Sequence, residues 1–176
     1  MFDKLIELLS NWWHYITPIV IIPTYEEAVL LRFGHFKKVL HPGFHVKLPI
    51  FDEVISQHVV ITTLSLAAQS LYTRDKQNIV VKGVIKYRIS DVKTFLLEVF
   101  DAQDALADMT QSIIKNIIIS TTIDDCIDPE MDNVLTKKVR TEAKKWGVDI
   151  QQVTLTDIAP IRSFRIINDS FLNKLD

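Results

Sequence analysis

The stretch that decides the fold runs from Pro23 to Pro49 and reads PTYEEAVLLRFGHFKKVLHPGFHVKLP. Residues 28–33 predict a β-strand, and Gly34 supplies the backbone freedom that the following turn needs. A second strand begins at Gly43 and alternates apolar with polar residues. Alternation with a period of two is typical of a strand with one buried face, so the stretch predicts a half-buried β-hairpin. The apolar face of the second strand carries Phe44, Val46 and Leu48.

Two more strands are predicted between residues 53 and 90. Residues 53–68 form the first, and a charged turn at residues 72–76 separates it from the second. Residues 78–90 show the clearest alternation in the chain. One of their faces is apolar and the other is largely charged, as in an antiparallel sheet that is open to water on one side. The apolar face carries Ile79, Val81, Ile85, Tyr87 and Ile89.

Beyond residue 91, apolar residues recur every three or four positions, which predicts helices. A short helix is expected over residues 95–100, and Asp101 is expected to cap a longer one. A third helix has Asp128 as its N-cap, Pro129 at its first position and Gly147 just past its end. The buried stripes of the two longer helices are predicted to be Ala102, Ala105, Leu106, Met109, Ile113 and Ile117, and then Val134, Leu135, Val139, Ala143 and Trp146.

The pattern then returns to a strand at residues 148–158. The alternation breaks at Gln151 and Gln152, which indicates a β-bulge. A turn at residues 157–160 leads into a last amphipathic segment, whose apolar side carries Ile161, Phe164, Ile167, Phe171, Leu172 and Leu175. This order of elements predicts an α+β fold, with a mainly antiparallel sheet in the first half followed by helix, helix and strand.

The first 22 residues carry two apolar segments. Residues 1–16 predict an amphipathic helix, and an apolar run at residues 16–22 follows it. Both are shorter than the roughly 18–20 apolar residues that cross a bilayer, and the acidic residues Asp3 and Glu7 argue against a signal peptide. We expect this segment to lie in the membrane interface; the alternative is packing on the protein itself or on a neighbouring copy. The membrane-contacting residues would be Phe2, Leu5, Ile6, Leu9, Trp12, Trp13, Tyr15, Ile16, Ile19, Val20, Ile21 and Ile22.

Composition and motifs narrow the function classes. With 176 residues and a formal net charge of -2, the chain offers no basic surface for nucleic acid. Cys126 is the single cysteine, so no intramolecular disulfide can form. No nucleotide-binding or hydrolase motif is present. The candidate metal ligands lack the spacing of a zinc or calcium site, so we expect neither an enzyme nor a cofactor or metal. Those candidate ligands are His35, His41 and His45, and Asp124, Asp125 and Asp128.

Six short motifs follow one another between residues 23 and 164. They are Arg-Phe-Gly at 32–34, Pro-Gly-Phe-His at 42–45, Thr-Arg-Asp at 73–75, Tyr-Arg-Ile at 87–89, Trp-Gly-Val-Asp at 146–149 and Asp-Ile-Ala-Pro at 157–160. In this order they resemble the stomatin/prohibitin/flotillin/HflK-HflC (SPFH) superfamily, in which a membrane segment leads into a pair of strands. The resemblance implies a membrane-associating segment at residues 1–22, SPFH subdomains at 23–92 and 93–162, and a C-terminal helix at 163–176.

The resemblance also implies a function. It is that of a membrane-associated scaffold which self-associates laterally and organises a membrane patch, or modulates a partner such as a membrane protease. The alternative is a soluble adaptor that co-assembles with longer SPFH proteins. Expected partners are membrane lipid and SPFH proteins, with which the chain would form homo- or hetero-oligomers. The expected location is an inner or plasma membrane, and the resemblance does not indicate on which face of it.

Members of the superfamily usually continue into a long helix that forms a coiled coil. The sequence given has only about four helical turns after Pro160, so it resembles a minimal member of the superfamily. Assembly through this segment is expected to use Phe164, Ile167, Phe171 and Leu175.

Overall fold

The computed structural model describes residues 18–161, which form nine strands, four α-helices and one 3₁₀ turn. The strands are β1 (Ile19–Ile22), β2 (Glu26–Arg32), β3 (His35–Leu40), β4 (Gly43–Val46), β5 (Asp52–His58), β6 (Thr62–Ser65), β7 (Gln69–Tyr72), β8 (Asn78–Ile89) and β9 (Val148–Pro160). The helices are α1 (Val92–Leu97), α2 (Ala102–Ser120), α3 (Ile123–Ile127) and α4 (Glu130–Ala143), and the 3₁₀ turn is Lys144–Trp146. The predicted α+β fold class is confirmed. The helices predicted at the two ends of the chain lie outside the described residues.

The strands make three antiparallel sheets. β1 and β4 form a two-stranded ribbon, and β3, β2 and β5 form a three-stranded sheet in that order. The third sheet is built around β8, which pairs with β6 and β7 along one edge and with β9 along the other.

The hairpin predicted around Gly34 is wrong in its second strand. Gly34, with φ 76°, does make the turn, but β2 pairs with β3, and β4 pairs with β1 instead. The adjacent lysines Lys37 and Lys38 hide the alternation of β3, because a register shift between Leu30 and Leu31 places an extra residue in that strand. Gly34 and Gly43 therefore lie at the two ends of β3.

The strand predicted over residues 53–68 is two strands, β5 and β6, with a break at residues 59–61. β7 was not predicted and lies between the two strands that were predicted in this region. β8 was predicted correctly, including its faces: the five residues of the predicted apolar face are buried, whereas Lys82, Lys86 and Arg88 on the other face are exposed.

The main core lies between the β8 sheet and the long helices α2 and α4. It contains Ile79, Ile85, Leu106, Leu135 and Val153, all of which are fully buried. The bulge predicted in β9 is confirmed at Gln151, because Ile150 pairs with Tyr87 while Gln152 pairs with the neighbouring Lys86. α2 packs against β7, in the same sheet as β9.

The helix caps differ in detail from their predictions. Asp101 precedes α2 with φ 46° and makes no side-chain cap, whereas Asp91 caps α1 by accepting hydrogen bonds from the backbone of Lys93 and Thr94. Asp128 accepts a hydrogen bond from the Glu130 amide at 2.8 Å, but α4 begins at Glu130, one residue later than predicted, and Pro129 takes the N-cap position.

Between the two long helices lies the short helix α3, which was not predicted. The buried stripes are also shifted in part. Val134, predicted to be buried in α4, is 47% exposed, and Met131 is buried instead. In α2, Thr110 and Ile114 are buried, while Met109 and Ile113 are half-buried.

Gly147→Ala is expected to destabilise the fold by about 3 kcal/mol. Gly147 has φ 71°, and a Cβ placed there would lie 2.5 Å from the carbonyl oxygen of Asp91. Gly34→Ala is the matched control, because Gly34 has φ 76° but no atom within 4 Å of the added Cβ. Its cost should be about 1 kcal/mol from the left-handed backbone alone. Equal losses of unfolding free energy in urea titrations would show that contact with Asp91 is unimportant.

Candidate membrane-contact surface

The β1–β4 ribbon lies on the outer side of the β3–β2–β5 sheet. Ile22 is 4% exposed and packs with Ala28, Leu30 and Leu40 of that sheet, and Val20 packs against the same cluster. This small core is separate from the main core and holds the ribbon by one face only.

The other face of the ribbon is apolar and points to solvent. Ile19 lies opposite Val46, and Ile21 lies opposite Phe44. Because alternate residues of a strand point to opposite faces, these two pairs share the side that the inner residues leave free. Their exposed fractions are 48% for Ile19, 63% for Val46, 73% for Ile21 and 64% for Phe44. We call these four residues the ribbon face.

The chain continues from the ribbon face into residues 47–51, a loop with three more exposed apolar side chains. Leu48 is 47% exposed, Ile50 87% and Phe51 49%. Ile50 has φ 74°, which is unfavourable for a β-branched residue. Phe33 is 70% exposed and lies beside Phe51, with 5.0 Å between the ring centroids. We call Leu48, Ile50, Phe51 and Phe33 the apolar loop.

A partly buried ion pair between Arg32 and Asp52 holds the apolar loop in place. Arg32 donates from Nε and Nη2 to the two carboxylate oxygens of Asp52, at 2.7 and 3.0 Å. The Leu48 amide donates to Asp52 Oδ2 at 2.8 Å, and the Asp52 amide donates to the Leu48 carbonyl at 3.0 Å. The side chain of Asp52 is fully buried. The hydrogen bonds from Arg32 and from the Leu48 amide lower the pKa of Asp52 to about 2.

This pKa predicts how stability depends on pH. The ordinary pKa of the Asp52 carboxyl is 3.8, so ionised Asp52 stabilises the folded state above pH of about 4. The stabilisation is lost as the pH falls through the folded pKa of about 2. Asp52→Asn cannot titrate. The difference in unfolding free energy between the wild type and Asp52→Asn is therefore expected to shrink between pH of about 5 and about 2, and a constant difference in denaturant titrations would contradict the prediction.

The ribbon face and the apolar loop, which follows it in the chain, together expose eight apolar side chains. Large exposed apolar patches mark contacts with membranes or with other proteins. None of the eight residues is charged. Charged residues next to them in the chain include Lys47, which is half-buried, and Arg32 and Asp52, which form an ion pair.

The predicted membrane-contacting residues fall into three groups in the structure. Ile19 and Ile21 are on the ribbon face, whereas Val20 and Ile22 are on the inner face of the ribbon. The remaining ones lie outside the described residues and are Phe2, Leu5, Ile6, Leu9, Trp12, Trp13, Tyr15 and Ile16. The predicted assembly residues Phe164, Ile167, Phe171 and Leu175 also lie outside the described residues.

The apolar face of β4 was predicted to be buried, and this prediction is wrong. Phe44 and Val46 do share one face of β4, but that face is exposed, and half-buried His45 lies on the other. Leu48 lies beyond the end of β4 and is 47% exposed. The alternation is the same whichever face is buried. The burial depended on the partner strand, because β1 supplies Ile22 and Val20 to the inner side and leaves the apolar side of β4 uncovered.

The histidines near this surface have ordinary structural partners. His41 Nδ1 lies 2.9 Å from Glu27 Oε1, and His45 Nε2 lies 2.6 Å from the His41 carbonyl oxygen. Within residues 18–161, no three His, Cys, Asp or Glu side chains are grouped as a metal site would require. No helix in the same range is both long enough and apolar enough to cross a bilayer.

Comparison with known proteins places the chain in a family. The model of the SPFH domain / Band 7 family matches residues 20–168, which includes both small sheets, the β8 sheet and the helices between β8 and β9. This chain belongs to the SPFH domain / Band 7 family. The resemblance drawn from the six motifs is thereby confirmed.

SPFH relatives occur in archaea and in mammals. An uncharacterised protein of Methanocaldococcus jannaschii is 28% identical over 81% of this chain and 72% of its own length. A stomatin homolog of Pyrococcus horikoshii is 24% identical over 80% of this chain, and mouse stomatin-like protein 3 is 25% identical over 78%. The match spans 53% and 50% of those two relatives, so this chain corresponds to about half of each.

Proposed function

We propose that this SPFH protein is a membrane-associated scaffold, which binds a bilayer from one side, self-associates laterally and organises a membrane patch or modulates a membrane partner such as a protease. The observation that supports it most is the exposed ribbon face, continued by the apolar loop. A membrane accounts for this surface without a folded partner of matching shape.

The energetics are consistent with shallow insertion. Burial of a Val, Ile or Phe side chain contributes about 1.5–3 kcal/mol when it is complete. The ribbon face is about half to three-quarters exposed, so its four side chains together would contribute several kcal/mol on entering the interface. Its ladder hydrogen bonds already pair the peptide groups between β1 and β4, which lowers the cost of desolvation.

The N-terminal segment would act on the same side. The carbonyl of Pro18 accepts a hydrogen bond from the Lys47 amide at 2.7 Å, at the end of the ribbon next to the apolar loop. Residues 1–17 therefore join the fold directly at this surface. An interfacial helix there, with Trp12 and Trp13 at the level of the headgroups, would make a second anchor beside the first.

Flotation with phosphatidylcholine vesicles tests the membrane contact. The full chain is expected to float with vesicles alone. A chain that stays at the bottom of the gradient, and floats only when a longer SPFH protein is added, would overturn the proposal in favour of a soluble adaptor.

Lateral association is tested with Phe171→Glu and Leu175→Glu together. We expect chemically cross-linked oligomers on vesicles to decrease strongly, because two charges replace the apolar stripe, while the melting temperature of the dilute protein changes little. Asn168→Glu with Asn173→Glu is the matched control for added charge. If the stripe variant instead unfolds, these side chains belong to the core of their own molecule, and assembly uses another surface.

A further inference from the structure

The β1–β4 ribbon has two open edges. Within residues 18–161, neither strand pairs with a third. The hydrogen bond from the Lys47 amide to Pro18 O identifies the bonded pairs, because these alternate with unbonded pairs along an antiparallel ladder. The pairs Ile19–Val46 and Ile21–Phe44 are then the unbonded ones. Their N–H and C=O groups point away from the partner strand, towards the outer edges of the ribbon.

The edge of β9 is protected by α4. Arg140 donates to the carbonyl of Ile150 at 2.8 Å, and the Val153 amide donates to Thr136 Oγ1 at 2.9 Å. The Leu155 amide donates to Asp132 Oδ1 at 3.1 Å. Three side chains one helical turn apart thus occupy the backbone groups that another strand would need.

The edge of β3 is protected in a different way. It carries the exposed lysines Lys37 and Lys38 and contains the register shift opposite Leu30 and Leu31. Lysines and bulges are common means of preventing strand addition at an edge. The ribbon has neither. Its single ionisable side chain is His45, which points to the inner face, and its register with β1 is continuous.

We propose that the ribbons of neighbouring copies pair edge to edge on the membrane, the outer edge of β1 in one copy with the outer edge of β4 in the next. This rests on the membrane contact proposed above. A peptide group without a hydrogen-bond partner is far more costly next to lipid than in water. Ribbons that enter the interface therefore gain more from pairing there than they would in solution, so membrane binding and assembly support each other.

The partner is a second copy because the two edges complement each other. Pairing β1 with β4 continues the antiparallel alternation and keeps every ribbon face on the membrane side. It repeats the Ile–Phe and Ile–Val neighbours already present inside the ribbon. One kind of contact then satisfies both edges of every copy, and such a head-to-tail contact extends into a ring or a row.

Cross-linking between two single-site variants tests this pairing. Ile19→Cys marks the edge of β1 and Val46→Cys marks the edge of β4, while the natural Cys126 is 2% exposed and shielded from reagent. On phosphatidylcholine vesicles, a short bis-maleimide is expected to cross-link a mixture of the two variants at least tenfold more than either variant alone. Cross-linking of either variant alone to the level of the mixture would overturn head-to-tail pairing.

A proline at the edge provides the second measurement. Ile21→Pro removes the outward N–H, and Ile21→Ala removes a similar side chain but keeps that N–H. Placed in the Ile19→Cys protein, the two variants should lose membrane binding to the same extent, because both lack the Ile21 side chain. Per vesicle-bound protein, only Ile21→Pro should then reduce cross-linking to Val46→Cys, about tenfold. Equal cross-linking overturns the edge pairing alone, whereas failure of the wild-type protein to float overturns the membrane contact itself.

Discussion

Replacing Phe44 and Val46 by serine is expected to lower partitioning onto vesicles about a hundredfold. The two side chains are 64% and 63% exposed, so their removal costs the fold little. In the membrane interface they would lose about 3 kcal/mol of apolar transfer free energy together. The measurement is the fraction that floats with phosphatidylcholine vesicles at several lipid concentrations, alongside a thermal melt of the protein without lipid.

Ile119→Ser with Ile127→Ser is the matched control for Phe44 and Val46. These two isoleucines are 48% and 63% exposed on α2 and α3, away from the ribbon. Their loss removes a comparable apolar area but should leave flotation unchanged. If both double variants lose flotation equally, the protein binds membranes through general hydrophobicity and the ribbon face is not the contact.

Replacing Trp12 and Trp13 together by serine is expected to have an effect of similar size. Each indole contributes on the order of 2 kcal/mol of apolar transfer, so the pair should shift partitioning more than a hundredfold. Trp12→Phe with Trp13→Phe is the control that keeps an aromatic ring at both positions. That variant should float nearly as well as the wild type.

A variant that combines the serine substitutions at Phe44, Val46, Trp12 and Trp13 shows whether the protein has one membrane anchor or two. If the N-terminal segment and the ribbon face contact the membrane independently, the partition coefficients of the serine variants multiply in the combined variant. If the serine variant at Trp12 and Trp13 still floats like the wild type, the N-terminal segment is not an anchor, and membrane binding depends on the ribbon face and the apolar loop.

Local pattern was enough to predict the elements whose apolar face is covered by the main core. Alternation predicts the two faces of β8, and its interruption predicts the bulge at Gln151. The turn at Gly147 is predicted because a left-handed backbone favours glycine. The family followed from the order of six motifs. Each of these signals is a property of the residues and their spacing alone.

The candidate surface depended on tertiary structure. The sequence determined by itself that Phe44 and Val46 share a face, because a strand alternates with a period of two. Only the pairing of β4 with β1, and the packing of Ile22 on Leu30 and Leu40, decided that this face is exposed. Alternation states which side chains lie together, whereas burial depends on what covers them, and here the inner layer came from a strand about 20 residues earlier in the chain.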